Sequence, residues 1–160
     1  MTTFTYIHVA LSLLGIASGF VVLFGLIAAK RLDGWTAFFL ATTVATSATG
    51  FGFPFTHFLP SHAIGIISLL VLAVAIFARY ARHLRGAWRP IYVVGAAVAL
   101  YLNVFVLIFQ AFLKVPALKT LAPTQSEPPF LIAQLVVMAI FVVLTVVAAI
   151  KFRVEPATRA

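Results

Sequence analysis

The chain contains no cysteine and only three acidic residues, Asp33, Glu127 and Glu155, and charged side chains make up just 9% of its 160 residues. The first absence removes disulfides, thiolate ligands and thiol redox chemistry. The second leaves little material for general acid/base catalysis, and no His-Glu-x-x-His motif, phosphate loop or nucleophile elbow occurs. No long apolar run carries a carboxylate or a lysine away from its ends, which disfavours transport by charge relay. No residue is therefore assigned a catalytic role, and enzymatic activity by the chain alone is not expected.

What is present is apolar: 64% of the residues are hydrophobic and 9% are charged, against roughly 25% charged residues in an ordinary soluble domain. A water-soluble fold of this length has no interior large enough for so much apolar surface. The solvent that fits is a lipid bilayer, and a single membrane domain over 1–160 is expected. A net charge of +8 would suggest a nucleic-acid partner in a soluble protein. Here the basic residues lie in short clusters between apolar runs, where they set orientation, and nucleic-acid binding is excluded.

Five runs are long enough to cross a bilayer: about 4–29, 35–53, 62–78, 90–112 and 130–150. The expected fold is an all-α integral membrane bundle of five transmembrane helices. Nothing basic precedes the first run, so it reads as a retained helix and not as a cleaved leader. Asp33 stands at a helix N-cap position, Ser61 can cap the third run, and Ser126 and Glu127 ahead of Pro128 and Pro129 make a helix start. Between the fourth and fifth runs, VPALKTLA can lie flat on the membrane with Val115, Leu118 and Leu121 downward.

Lys30, Arg31, Arg79, Arg82, Arg85, Arg89, Lys151, Arg153 and Arg159 alternate to one side of five spans, and only Lys114 and Lys119 to the other. The positive-inside rule makes the nine cytoplasmic, with an outward N-terminus, an inward C-terminus and an inner-membrane location.

The segment Phe51–His62, FGFPFTHFLPSH, is a Gly/Pro/aromatic turn between the second and third runs. In the first run His8, Ser12, Gly15 and Gly19 fall on one helix face, and Gly15 and Gly19 form a small-xxx-small pair for close helix approach. The second run has a broad hydroxyl-bearing side, Thr36, Thr42, Thr43, Thr46, Ser47 and Thr49. These hydroxyls serve packing by bonding back to helix carbonyls, or they line a polar cavity. Asn103 and Gln110 share a face of the fourth run that should avoid lipid, and Gln134, Met138 and Thr145 lie near one face of the fifth.

With this topology His8, His57, His62, Gln110 and Gln134 gather at the outer side. His8 and His62, with Gln110, Gln134 and Asn103 nearby, are candidates to hold a haem b axially. His8, His57 and His62, with Glu127 as a fourth ligand, are instead candidates for a copper or zinc ion. His83, among arginines, reads as a solvated loop residue. The expected function is a redox or metal-handling role. Its competitors are an accessory or assembly subunit that binds a larger membrane complex, or forms a homo-oligomer, and a permeation path for a neutral solute past the threonines and amides.

Overall fold

The computed structural model describes residues 2–153; Glu155 and Arg159 lie outside them. Among the described residues every regular element is helical: α1 Thr3–Ile27, α2 Asp33–Gly50, α3 Pro60–Ile76 with a π-helical turn over Phe77–Ala81, α4 Trp88–Lys114, the short α5 Pro116–Leu121, and α6 Pro128–Lys151. The protein is an all-α membrane bundle. Four of its helices, α1, α3 with its π turn, α4 and α6, are long and apolar enough to cross a membrane. At about 1.5 Å per residue, the 25 residues of α1 reach past the roughly 30 Å of hydrocarbon in a bilayer. Their outer faces carry large apolar side chains such as Leu70, Leu135, Val142 and Ile150. Such exposure is expected where lipid is the solvent.

Each helix runs against its sequence neighbour. Gly15 of α1 faces Thr42 and Thr43 of α2, Gly19 faces Phe39, and Gly25 faces Leu32, so the two helices lie antiparallel along their whole length. A Cβ at Gly19 would stand 2.6 Å from Leu100 Cδ1 and 2.9 Å from Phe39 Cε2. The missing side chain is what lets α2 and α4 both approach α1, since close van der Waals contact drives helix association in lipid. Gly65 of α3 meets Phe51 at the end of α2, Ser47 bonds Ser68 across the same pair, and Gly95 of α4 meets Ala75 of α3. The final helix seals the groove between α1 and α4: Phe20, Tyr101 and Phe141 stack there at centroid separations of 5.9 and 5.6 Å. On α6, Gln134, Phe141 and Ala148 form the inward line at seven-residue spacing, while Met138 turns outward.

Three local expectations are corrected. Asp33 does not cap α2. The residue before the helix is Leu32, with φ 44°, and the Asp33 carboxylate is bonded to arginines instead. Ser61 does not cap α3 either: the helix begins at Pro60 with Leu59 as its N-cap, and His62 Nδ1 takes the Leu59 backbone N–H at 2.9 Å. Arg79, placed above beyond the end of the third run, is 2% exposed. It continues the buried line of Ser68, Leu72 and Ala75 at i, i+4, i+7 and i+11, and the π turn surrounds it, with the Arg82 N–H on the Phe77 carbonyl and the Leu84 N–H on that of Ala78. α5 forms where the flat segment was expected. Leu118 packs toward Phe112, Ala122 and Phe130, while Val115 and Leu121 remain exposed.

Candidate functional site

The polar groups of the bundle fall into three tiers along its axis. At the end holding the 51–59 turn, His8 is part-buried in α1 and its Nδ1 shares a 2.8 Å hydrogen bond with Thr49 Oγ1 of α2. Its ring meets Phe53 edge-on at 5.0 Å, and Phe4 packs on the same phenylalanine. His62 is 5% exposed, held by the Leu59 N–H and surrounded by Phe51, Phe55 and Phe58, the nearest centroid at 4.1 Å. The aromatic residues of the turn thus close over His62. His57 lies at the surface, 3.2 Å from the neighbouring Thr56 hydroxyl.

Glu127 sits before α6 and is consumed by its own loop, accepting from the Thr124 and Ser126 backbone N–H groups and from the Thr124 hydroxyl. Slight desolvation pulls its pKa upward, but these hydrogen bonds outweigh it and hold the carboxyl below its ordinary value. Among the described residues no three histidines or carboxylates come together as a group able to hold a metal ion. The structure does not gather the copper or zinc set His8, His57, His62 and Glu127 into one group: His57 and Glu127 serve surface loops, and His62 caps a helix.

The middle tier is a seam where α1, α2 and α4 meet. Gly15 lets the three helices close in, with Thr43 Oγ1, Thr42 Oγ1 and Asn103 Nδ2 at 3.3, 3.4 and 3.6 Å from where its Cβ would stand. Thr42, Thr46 and Thr49 bond back to their own helix carbonyls, and Ser47 bonds Ser68. Two neighbours at Gly15 do not follow that pattern. Thr43 Oγ1 and Asn103 Nδ2 are buried with no hydrogen-bond partner, the residues being 0% and 8% exposed. Asn103 thus faces α1 and not lipid. Further toward the 51–59 end, Gln134 Nε2 donates to the Phe105 carbonyl, leaving its own Oε1 and that of Gln110 without donors.

The third tier, at the opposite end, was not foreseen. Arg79 Nη2 donates to the Asp33 carboxylate and, at 3.3 Å, to the Arg31 carbonyl. Its guanidinium lies over Tyr92 at 5.2 Å and Tyr80 at 5.8 Å. Arg79 Nη1 and the Tyr92 hydroxyl are buried without hydrogen-bond partners. One signal in the sequence pointed here: Asp33 is the one carboxylate between two basic clusters, and it needed a partner. No family model, curated protein or solved structure matches this chain.

Proposed function

We propose that the seam at Gly15 binds a small neutral hydrogen-bonding solute on its way through the bundle. One observation carries the reading: Thr43 Oγ1 and Asn103 Nδ2 both border Gly15 and are buried with nothing to bond. A lone polar group in an apolar interior costs roughly 2–7 kcal/mol by transfer estimates, and nearly all such groups in folded proteins are satisfied. A solute with a hydroxyl or carbonyl oxygen fills both. The absence of a charged group in this tier suits a neutral molecule.

The same reading makes α2 a fifth span, since its 18 residues reach about 27 Å. Its hydroxyls lower its hydropathy, but they face the seam and neighbouring helices. Of the basic residues described, Lys30, Arg31, Arg79, Arg82, Arg85, Arg89, Lys151 and Arg153 lie at one end, and Lys114 and Lys119 at the other. That imbalance supports an inner-membrane orientation with the N-terminus outside. Reporters fused after Ala160 and near Gln125 should be active in the cytoplasm and outside, respectively; the reverse pattern overturns it.

Stopped-flow swelling of proteoliposomes in glycerol or urea gradients tests the function. The protein should raise the rate over empty vesicles, and Asn103→Leu should lower the added flux about tenfold, one hydrogen bond's worth. Flux no faster than in empty vesicles defeats the proposal. The spectrum of the same preparation reads the redox alternative, because a Soret band lost in both His8→Ala and His62→Ala would favour a haem.

A further inference from the structure

Two cavities flank the turn that leads into α4. One, of about 490 Å³, is lined by Leu84, Gly86, Arg89 and Arg153. The other, of about 610 Å³, is an apolar groove between α3 and α4 lined by Leu70, Val74, Ala87, Pro90, Val94 and Gly95, among others. Both fall in the size range of small-molecule sites. Gly86 and Arg89 serve the first while Ala87 and Pro90 serve the second, so a single turn of chain separates a doubly cationic cavity from an apolar trough.

The trough has a cause in the sequence. Gly95 lets α4 approach Ala75 of α3, where a Cβ would stand 3.2 Å from that of the alanine, and Ala87 and Pro90 project little at its mouth. The cationic cavity has one as well. Arg89 Nη1 bonds the Ala149 and Phe152 carbonyls at the end of α6, which anchors the guanidinium and leaves its remaining donors uncommitted to those carbonyls. Arg153 is exposed and enters from the other side. Nearby Arg82, stacked on Trp88 at 5.5 Å, and the exposed Arg85 and Lys151 add positive charge. Counter-charge is scarce: Asp33 is bonded to Arg79 and Arg31, Glu127 is at the opposite end of the bundle, and Glu155 lies outside the described residues.

We propose that this corner binds one anionic phospholipid, its phosphate between Arg89 and Arg153 and an acyl chain in the α3–α4 groove. The occupant is a lipid because the two cavities demand opposite chemistries at the boundary where lipid carries both. Basic pockets at the ends of membrane helices recognise anionic headgroups in this way, and arginine matches phosphate with paired donors. The site is independent of the seam at Gly15.

The test follows thermal unfolding of the full chain in neutral detergent with added phosphatidylglycerol, phosphatidylcholine or inorganic phosphate. Phosphatidylglycerol at saturation should raise Tm by about 5–10 °C and phosphatidylcholine should not. Arg153→Gln, at an exposed residue that holds no helix end, should require at least tenfold more phosphatidylglycerol for half the shift. Arg85→Gln, outside the cavity, should not. Val94→Trp, which fills the groove, should also weaken the shift. An equal response to phosphatidylcholine, equal losses in Arg85→Gln and Arg153→Gln, or a full shift in Val94→Trp overturns the site. A shift reproduced by inorganic phosphate alone overturns the lipid in favour of a free anion.

Discussion

Arg79 is 2% exposed, yet the carboxylate that it grips belongs to Asp33, whose side chain is 72% exposed. The pair ties the first turn of α2 to the π turn after α3, and Tyr92 of α4 lies under the same guanidinium. An exposed partner gives up little hydration, so the bond stabilises mainly by keeping a buried cation from being left alone. Removing the acid with Asp33→Ala should cost about 1–3 kcal/mol, because the Arg31 carbonyl remains as an acceptor. Arg79→Met, which removes the buried charge itself, should cost less. Thermal unfolding of both variants and of the double variant reads this directly; a larger loss for Arg79→Met alone would contradict it.

A second prediction rests on two glycines. At Gly19 an added Cβ would stand under 3 Å from both Leu100 and Phe39, whereas at Gly34 nothing lies within 4 Å. Gly19→Ala should therefore separate α1 from α2 and α4 and cost about 1–3 kcal/mol by overpacking. Gly34→Ala, in the first turn of α2, should be neutral or stabilise by up to about 1 kcal/mol. Equal melting temperatures for the two variants would contradict the close-approach account.

The contrast between Gly19 and Arg79 shows what the sequence could disclose. The all-helical membrane bundle and the rough extent of its long helices were legible, because hydrophobic runs, prolines and basic clusters act locally. The Gly15 and Gly19 face and the inward placement of Asn103 were legible too, since helix periodicity puts them on a line. The burial of Arg79 was missed: it shares one helix face with Ser68, Leu72 and Ala75, but reading the third run as ending at Ala78 left it out of that line. The grouping of three histidines rested on shared depth alone. Depth along the axis says nothing of position around it, and His62 Nδ1 was needed locally once Pro60 had begun α3.

Glu127 gives the pH prediction. Its folded pKa lies below the ordinary value, so its loop gains stability from the ionised form at pH values above the unfolded pKa, about 4.3. That contribution should be lost as the pH falls through the lower, folded pKa. The protection factors of the Thr124 and Ser126 amides, whose N–H groups the carboxylate accepts, taken relative to intrinsic exchange, should fall in that acidic window and stay level between pH 5 and 8. Glu127→Gln should show faster exchange at neutral pH and no acidic step. A wild-type step near neutrality would assign the loop's stability to another group.

The histidines provide the last test, since the structure gives them unequal work. His62 accepts the Leu59 N–H and fills the space among Phe51, Phe55 and Phe58. His62→Ala removes an acceptor from a backbone donor and a ring from an aromatic cluster together, so a loss of about 2–3 kcal/mol is expected. His8→Ala breaks one bond to Thr49, whose hydroxyl keeps the Ala45 carbonyl as a partner, so about 1 kcal/mol is expected. His57, bonded only to its exposed neighbour, should tolerate alanine within about 0.5 kcal/mol. Thermal unfolding gives the order, and hydrogen exchange at Leu59 locates it: that amide should open in His62→Ala and stay protected in His8→Ala. If His8→Ala proves the more damaging, the end of the bundle at the 51–59 turn is held by the α1–α2 contact and not by the aromatic turn.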